Sequence, residues 1–265
     1  MTIINCVVSP LGIIQLADSY VTMGETVTDV KEKMFAIPVE HTGYVTTAGS
    51  YQVGGVPMNR WMPDFVKSFE TSHPAPRSPA SFADALKVAL EASASEAECL
   101  EAGFLLHIAG YGMDGSSGVF RPEMHFVRNV YTMDDKGDYG DFRTTFQTSE
   151  DFWTRYSTVG DMFGYRAAIE GGGSIQFFNG LTSGRQALVQ FGQAMFGVFR
   201  ENWIDPTSPF NPPTTLRQLR DISKLIMEAV CVLAAESSSP APSIGKPVIS
   251  GLIQPPPNAV HMPGR

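Results

Sequence analysis

The order of predicted elements indicates an α+β protein in which two antiparallel sheets are expected to lie between outer helix layers. Strand-like segments come in runs and helix-like segments come in runs, in the order ββββ, αα, ββ, αα(α), β. Strict βα alternation, which would indicate a doubly wound parallel sheet, is not seen. In the first third of the chain, pairs of short apolar segments flank tight polar turns, which is typical of antiparallel hairpins.

Two hairpins are predicted near the N-terminus. The first pairs Thr2–Val8 with Ile13–Ala17 across Pro10-Leu11-Gly12, and the second pairs Met34–Val39 with Gly43–Ala48. Their nearly continuous apolar runs indicate strands that are buried on both faces. Three later segments are also predicted to be strands: Phe104–Gly112, Met124–Tyr131 and Lys246–Ile253.

Helices are predicted where apolar residues recur every three or four positions. Ser81 is the expected N-cap of the second helix, which is expected to reach Leu100, and Thr214 or Thr215 is expected to cap the longest one. The predicted helices are Asn59–Phe69, Phe82–Leu100, Gly160–Ile169, Arg185–Asn202 and Leu216–Ala235.

The remaining segments predict one domain with two insertions and a tail. Residues 134–156 lack periodicity and are interpreted as a long loop or irregular insertion, and 203–214 is a Pro-rich insertion. The domain is expected to cover 1–254, and 255–265 is a Pro-rich tail.

Composition excludes several classes of function. The net charge is −8 and no Lys/Arg-rich run is present, so nucleic acid and anionic membranes are not expected partners. The chain has no signal-peptide pattern and no apolar stretch of about 20 residues. Its three cysteines are scattered and odd in number, which favours a reducing, cytoplasmic location over disulfides or a zinc site. No metal or organic cofactor is expected.

The chain begins Met1-Thr2 and continues directly into a strand. Removal of Met1 would make Thr2 the N-terminal residue. Thr2 would then carry a hydroxyl nucleophile and its own α-amine, a base with a pKa near ~8. Such a pair is a known way to activate a weak nucleophile. The alternative is that Met-Thr is a common start with no chemical consequence.

Four segments, taken in order, resemble the β-type subunits of proteasomes. Gly12–Gly24 reads Gly-Ile-Ile-Gln-Leu-Ala-Asp-Ser-Tyr-Val-Thr-Met-Gly, similar to the second-strand signature of that family. Glu32–Ile37 and Val45–Ser50 resemble its lysine-apolar strand and its Ala-Gly-Ser turn. Phe104–Tyr111 with Pro122–Phe126 resembles the two central strands. The resemblance is dense over about the first 50 residues and partial to about residue 130.

The resemblance implies catalytic roles for four residues. Thr2 matches the nucleophile, and Asp18 matches the carboxylate that orients the catalytic lysine. Lys33 matches that lysine, although Lys31 is a rival because the spacing from Asp18 to Lys33 is one residue shorter than the family's. Gly49 matches the residue whose backbone N–H forms the oxyanion hole. The alternatives are a turn aspartate, a solvated strand-edge lysine and a glycine that caps a turn.

Further residues are implied by the same mapping. Asp161 occupies the place of the serine that supports the nucleophile's amine, and Glu236 and Ser239 match an Asp-x-x-Ser motif. Asp161 could bind the α-ammonium but would raise the pKa of that amine and weaken it as a base. Four residues correspond to positions that line the substrate pocket: Val21, Lys31, Thr47 and Tyr51.

The implied protein is a threonine peptidase with the four-layer αββα sandwich of N-terminal-nucleophile hydrolases. It would act on peptides or unfolded proteins, self-associate into a ring or ring-like assembly, and work with or without an ATPase partner. Two alternatives remain open: an amidohydrolase of the same fold that acts on small amides, and a scaffold or binding subunit without peptidase activity.

Overall fold

A computed structural model provides the fold. It describes residues 2–23, 26–113, 115, 118–133, 139–150, 175–180, 187, 190–192, 194–195, 207, 211–236, 244–257 and 259. The protein is of mixed α+β class, and its strand pairs are antiparallel throughout the named sheets. Among these residues, no helix has the length and apolar character needed to cross a membrane.

The smaller of the two main sheets contains the N-terminal strand. It has four strands: β1 (Ile3–Ser9), β2 (Gly12–Ala17), β12 (Ile175–Gly180) and β13 (Ile249–Ile253), in the order β12-β1-β2-β13. The predicted β1–β2 hairpin and the last strand are confirmed, whereas β12 was not predicted. Every residue of β1 and β2 is buried, as expected for strands covered on both faces.

The larger sheet has the order β11-β10-β9-β6-β5. Its strands are β5 (Met34–Ile37), β6 (Gly43–Gly49), β9 (Phe104–Met113), β10 (Phe120–Met133) and β11 (Tyr139–Glu150). Two short ribbons lie outside both sheets: β3 (Tyr20–Met23) with β4 (Thr26–Val30), and β7 (Gln52–Val53) with β8 (Val56–Pro57).

The prediction of a loop over 134–156 is wrong for Tyr139–Glu150, which forms β11. Among the described residues β11 is an edge strand that pairs with β10, and a bulge between Arg128 and Val130 shifts the register of that pair. Within it, Phe146 is buried, while Arg143–Thr145 are exposed. A mostly polar edge strand lacks the apolar alternation on which the sequence prediction depends.

The helices differ from the predictions mainly at their ends. The helices whose bounds the structure describes are α1 (Met58–Ser72), α2 (Pro79–Ser93) and α3 (Leu216–Glu236). The second helix ends at Ser93 instead of Leu100, and a short π-helical turn follows at Glu98–Ala102. Thr215 caps α3, since its Oγ1 accepts a hydrogen bond from the Gln218 N–H at 3.2 Å. In the predicted helix 185–202 the described residues are helical, and 160–169 lies outside the described residues.

Three apolar clusters form the core. One joins the two main sheets and includes Ile4, Ile13, Leu105 and Phe126. A second packs α1 and α2 on the larger sheet, and a third packs α3 on the smaller one. Ala259, within the predicted tail, is buried in the inter-sheet cluster and bridges to Phe120.

The N-cap of α2 is Ser78, not Ser81 as predicted. The Ser78 hydroxyl accepts the Ser81 N–H at 3.1 Å, and the Ser81 hydroxyl accepts the Ser78 N–H at 3.0 Å. Serine therefore supplies both halves of a capping box, with Pro79 at the first helical position.

Replacing Ser78 with alanine is expected to lower the free energy of unfolding by about 1 kcal/mol, because one helix-end N–H loses its acceptor. Urea denaturation measures the change. Ser78→Asp is the matched control, since aspartate caps equally well. Equal losses in both variants would show that the hydroxyl's cap bond is not what stabilises this end.

Candidate active site

Thr2 lies immediately before β1, with its side chain against a lysine. The residue is only 6% exposed, and Lys33 Nζ donates a hydrogen bond to Thr2 Oγ1 at 2.8 Å. Because β1 begins at the next residue and is central in its sheet, the backbone that carries Thr2 is held on both sides. The Thr2 hydroxyl and the Lys33 side-chain amine are thereby brought into direct contact.

Lys33 is the residue just before β5, and its side chain extends from there to Thr2. Its carbonyl accepts the Thr47 N–H at 2.9 Å, so the backbone continues the pairing of β5 with β6. The Nζ atom lies 3.3 Å and 3.4 Å from the two carboxylate oxygens of Asp18. Of the two candidate lysines, Lys33 is therefore the one shown in contact with Thr2. Lys31 is half-buried, and its backbone N–H donates to the Ser19 carbonyl at 2.8 Å.

Asp18 follows the last residue of β2 and is fully buried. Its Oδ1 accepts the Ile3 N–H at 2.9 Å, and its Oδ2 accepts the N–H groups of Tyr20 at 3.1 Å and Gly245 at 3.4 Å. The Asp18 N–H donates in turn to the Ile3 carbonyl at 3.2 Å. These bonds fix the carboxylate relative to the residue next to Thr2. It is not a solvent-exposed turn aspartate, since the buried oxygens are met by donors from three parts of the chain.

Burial changes the proton affinities of this pair. It lowers the pKa of the Lys33 ammonium, an effect that the nearby Asp18 charge opposes. It also raises the pKa of the Asp18 carboxyl, which the Lys33 charge and the hydrogen bonds oppose. Both directions favour movement of a proton from the lysine towards the carboxylate. A Lys33 amine without its extra proton can accept the proton of the Thr2 hydroxyl.

Gly49 ends β6 in a conformation that requires glycine. Its φ is +89°, in the region that side-chain-bearing residues rarely adopt, and a Cβ would overlap the Gly103 carbonyl oxygen. The next residue, Ser50, donates its N–H to that same oxygen at 2.7 Å. Gly49 is exposed, so its backbone is accessible from outside the protein. Two residues before Gly49, the Thr47 N–H donates a hydrogen bond to the Lys33 carbonyl, which connects this turn to the backbone of the lysine.

The four predicted pocket residues have unequal exposure. Thr47 is buried, whereas Val21, Lys31 and Tyr51 are half-buried, and the Tyr51 hydroxyl donates to the Glu32 carbonyl at 2.8 Å. A cavity of about 270 Å³ lies nearby between β5 and α1, but it contains none of these four. Its lining residues are Glu32, Phe35, Ala36, Pro63, Val66, Lys67 and Glu70.

The C-terminal candidates are only partly placed. Asp161 and Ser239 lie outside the described residues, and Glu236 is the last residue of α3. The described part of the chain therefore brings together Thr2, Asp18 and Lys33.

Two contributors to this site were missed by sequence reasoning. Gly245 donates to Asp18, and the Tyr20 ring packs so closely on Gly245 that a Cβ there would overlap it. Burial raises the pKa of the Cys231 thiol in α3 to about 12, and the nearby charge of Asp18 contributes to that rise. Neither residue is marked by local periodicity, because each meets Asp18 from more than 200 positions away in the chain.

Comparison with models of protein families and with curated protein sequences gives no match for this chain. Within the described residues, no group of three or more His, Cys, Asp or Glu side chains is arranged to hold a metal ion.

Proposed function

We propose that this protein is an N-terminal-nucleophile hydrolase of the threonine peptidase type, similar to a bacterial proteasome β subunit. The observation that carries the proposal is the 2.8 Å contact between Lys33 Nζ and Thr2 Oγ1, with Asp18 behind the lysine. A buried amine with a lowered pKa, directed at a hydroxyl on the second residue of the chain, is suited to activate that hydroxyl.

The proposed fold is the four-layer αββα sandwich of this class. The three apolar clusters support it, because they pair helix with sheet, sheet with sheet, and sheet with helix. In this arrangement the nucleophile lies at the start of a central strand of one sheet, and Gly49 ends a strand of the other.

The proposed reaction begins after removal of Met1. The Thr2 hydroxyl gives its proton to Lys33 or to the freed α-amine, and Oγ bonds to the carbonyl carbon of the substrate. The Gly49 N–H stabilises the resulting oxyanion, an effect worth roughly 10²–10³ in rate. The C–N bond then breaks, and the leaving amine takes the proton. Water attacks the ester that remains on Thr2, which releases the acid and restores the hydroxyl.

The site favours an enzyme over a scaffold that lacks activity. Burying a lysine and a carboxylate together has a desolvation cost that an apolar pair would avoid. A catalytic role for Lys33 at the Thr2 hydroxyl gives a reason for that cost. An amidohydrolase for small amides would use the same three residues and remains the second candidate.

The proposed context is cytoplasmic. We propose peptides or unfolded proteins as substrates and assembly of several copies into a ring, with the identity of any ATPase partner left open. A closed ring seen by native mass spectrometry would favour peptide substrates, and a monomer would favour small amides.

Labelling at Thr2 tests the proposal. The purified protein, incubated with a peptide β-lactone, is expected to have a mass that lacks Met1 and carries one acyl adduct on the Thr2 hydroxyl. Thr2→Ala is expected to form no adduct. Thr71→Ala, at an exposed threonine of α1, is the matched control and should be labelled normally. A chain that retains Met1 and stays unlabelled would refute the proposal.

A further inference from the structure

The turn that carries Gly49 is supported by a second turn at Gly103. The Gly103 carbonyl accepts the Ser50 N–H at 2.7 Å and lies where a side chain on Gly49 would have to be. Gly49 is also the register partner of Phe104, the residue after Gly103. The position of the Gly49 peptide therefore depends on where Gly103 lies.

Gly103 is in turn held by the side-chain amide of Asn129. The Phe104 N–H donates to Asn129 Oδ1 at 2.6 Å, and Asn129 Nδ2 donates to the Cys99 carbonyl at 2.9 Å. The same nitrogen donates to the Arg143 carbonyl at 2.7 Å. Asn129 is fully buried at the bulge of β10, so one amide joins β9, β10, β11 and the turn at Glu98–Ala102.

The edge strand β11 closes this arrangement. The Phe142 ring packs directly against the Cα of Gly103, where a Cβ would overlap it. Gly103 has a φ of +63°, which favours glycine independently of that contact. The segment that sequence reasoning interpreted as an insertion thus fixes the turn behind Gly49.

We propose that Asn129 is a positioning residue for the oxyanion-binding N–H of Gly49, acting through Gly103. The inference rests on the proposed function, since it assigns a residue to the oxyanion step of that reaction. An oxyanion donor is effective only at 2.7–3.1 Å from the developing charge. A buried amide that holds the start of β9, the turn at Glu98–Ala102 and the strand β11 by three hydrogen bonds provides such placement.

Two electrophiles separate this role from a general role in folding. A peptide β-lactone reacts through a tetrahedral intermediate with an oxyanion: Thr2 Oγ bonds to the carbonyl carbon, the ring C–O bond breaks, and the alkoxide takes the proton. A peptide vinyl sulfone adds Thr2 Oγ to its alkene carbon, and the proton goes to the neighbouring carbon. That second reaction forms no carbonyl oxyanion.

Asn129→Asp keeps the shape and the acceptor but loses both N–H donors of Nδ2. We expect it to slow acylation by the β-lactone by about 10- to 100-fold, part of the roughly 10²–10³-fold value of one oxyanion donor. Its rate with the vinyl sulfone should stay within about 3-fold of the wild-type rate. Val127→Ala, at a buried residue two positions away on β10, is the matched control and should leave the ratio of the two rates unchanged.

A second pair of variants makes the test independent of Asn129. Gly103→Ala should lower the ratio of the β-lactone rate to the vinyl sulfone rate. Adding Phe142→Ala should restore part of that ratio, because it makes room for the new methyl group. Equal loss of both reactions in Asn129→Asp, or an unchanged ratio in Gly103→Ala, would overturn the inference. A wild-type protein that reacts with neither probe would instead refute the proposed nucleophile.

Discussion

Replacing Lys33 with methionine is expected to slow acylation of Thr2 by a peptide β-lactone by about 10²–10⁴-fold, the usual range for a general base. Lys33 Nζ is 2.8 Å from Thr2 Oγ1, and methionine fills a similar space without a group that can take the proton. The second-order rate constant, measured by intact mass, gives the effect.

The Lys33→Met variant also leaves Asp18 buried without its cation. Removing one partner of a buried pair typically costs about 3–5 kcal/mol, so the single variant is expected to be less stable. The double variant Lys33→Met/Asp18→Asn removes the unpaired charge and should recover part of the stability but none of the reactivity. The recovery is only partial because the asparagine amide nitrogen cannot accept a backbone N–H that an Asp18 oxygen accepts in the wild type. This separation distinguishes a catalytic lysine from a structural one.

Two further variants complete the test. Lys33→Arg keeps a positive charge that cannot be given up, since arginine stays protonated in proteins, and this variant should therefore be nearly as slow as Lys33→Met. Lys31→Met, at the half-buried rival lysine, should react at a rate close to wild type. A fast Lys33→Arg variant would show that charge alone suffices, and a slow Lys31→Met variant would transfer the role to Lys31.

The roles of Thr2, Asp18 and Lys33 were predicted from the resemblance, and the strands that carry these residues were predicted from their own sequence pattern. Thr2, Asp18 and Lys33 lie on or beside the first strands, whose apolar runs are easy to recognise and whose turns are short. Two adjacent strands, β1 and β2, place Asp18 beside Ile3, so one local hairpin brings the carboxylate next to Thr2. The hairpin alone therefore places Asp18 close to Thr2.

The remaining features depend on contacts that no local pattern contains. Gly245 donates a hydrogen bond to Asp18 from 227 positions away in the sequence, and β1 pairs with β12, which is also distant from it in the sequence. Asn129 is one of several polar residues of β10, and its role is visible only once the turn at Cys99–Phe104 and the strand β11 surround it. Sequence periodicity reports which face of an element is buried, not which distant backbone group will meet a given side chain.

Acidification is expected to destabilise the protein through His107. This residue of β9 is fully buried between the sheets, with its ring edge-to-face against Phe126 at 4.2 Å between centroids. Gln15 of β2 donates to the His107 carbonyl at 3.1 Å, which holds the histidine's backbone to the other sheet. Burial lowers the pKa of its imidazole from 6.5 to about 3.

The sign follows from where the proton binds. Between pH 6.5 and about 3 the unfolded chain protonates this imidazole and the folded protein does not. The unfolded state therefore binds more protons, and the free energy of unfolding falls as the pH falls, by up to about 1.4 kcal/mol per pH unit. Asp18 acts in the opposite direction, since its raised pKa stabilises the folded state at low pH.

Comparison of His107→Gln with the wild type isolates the contribution of His107, because Asp18 and Lys33 are present in both. Urea denaturation is measured at a series of pH values from 7.5 to 4.5, which extends to about two units below the unfolded imidazole pKa of ~6.5. The free energy of unfolding should depend less steeply on pH for His107→Gln. Relative to His107→Gln, the free energy of unfolding of the wild type is expected to fall by about 2–3 kcal/mol from pH 7.5 to pH 4.5. His41→Gln, at an exposed histidine of the β5–β6 turn, is the matched control and should retain the wild-type slope. Parallel curves for wild type and His107→Gln would mean that the inter-sheet core admits the imidazolium, and that acid sensitivity arises elsewhere.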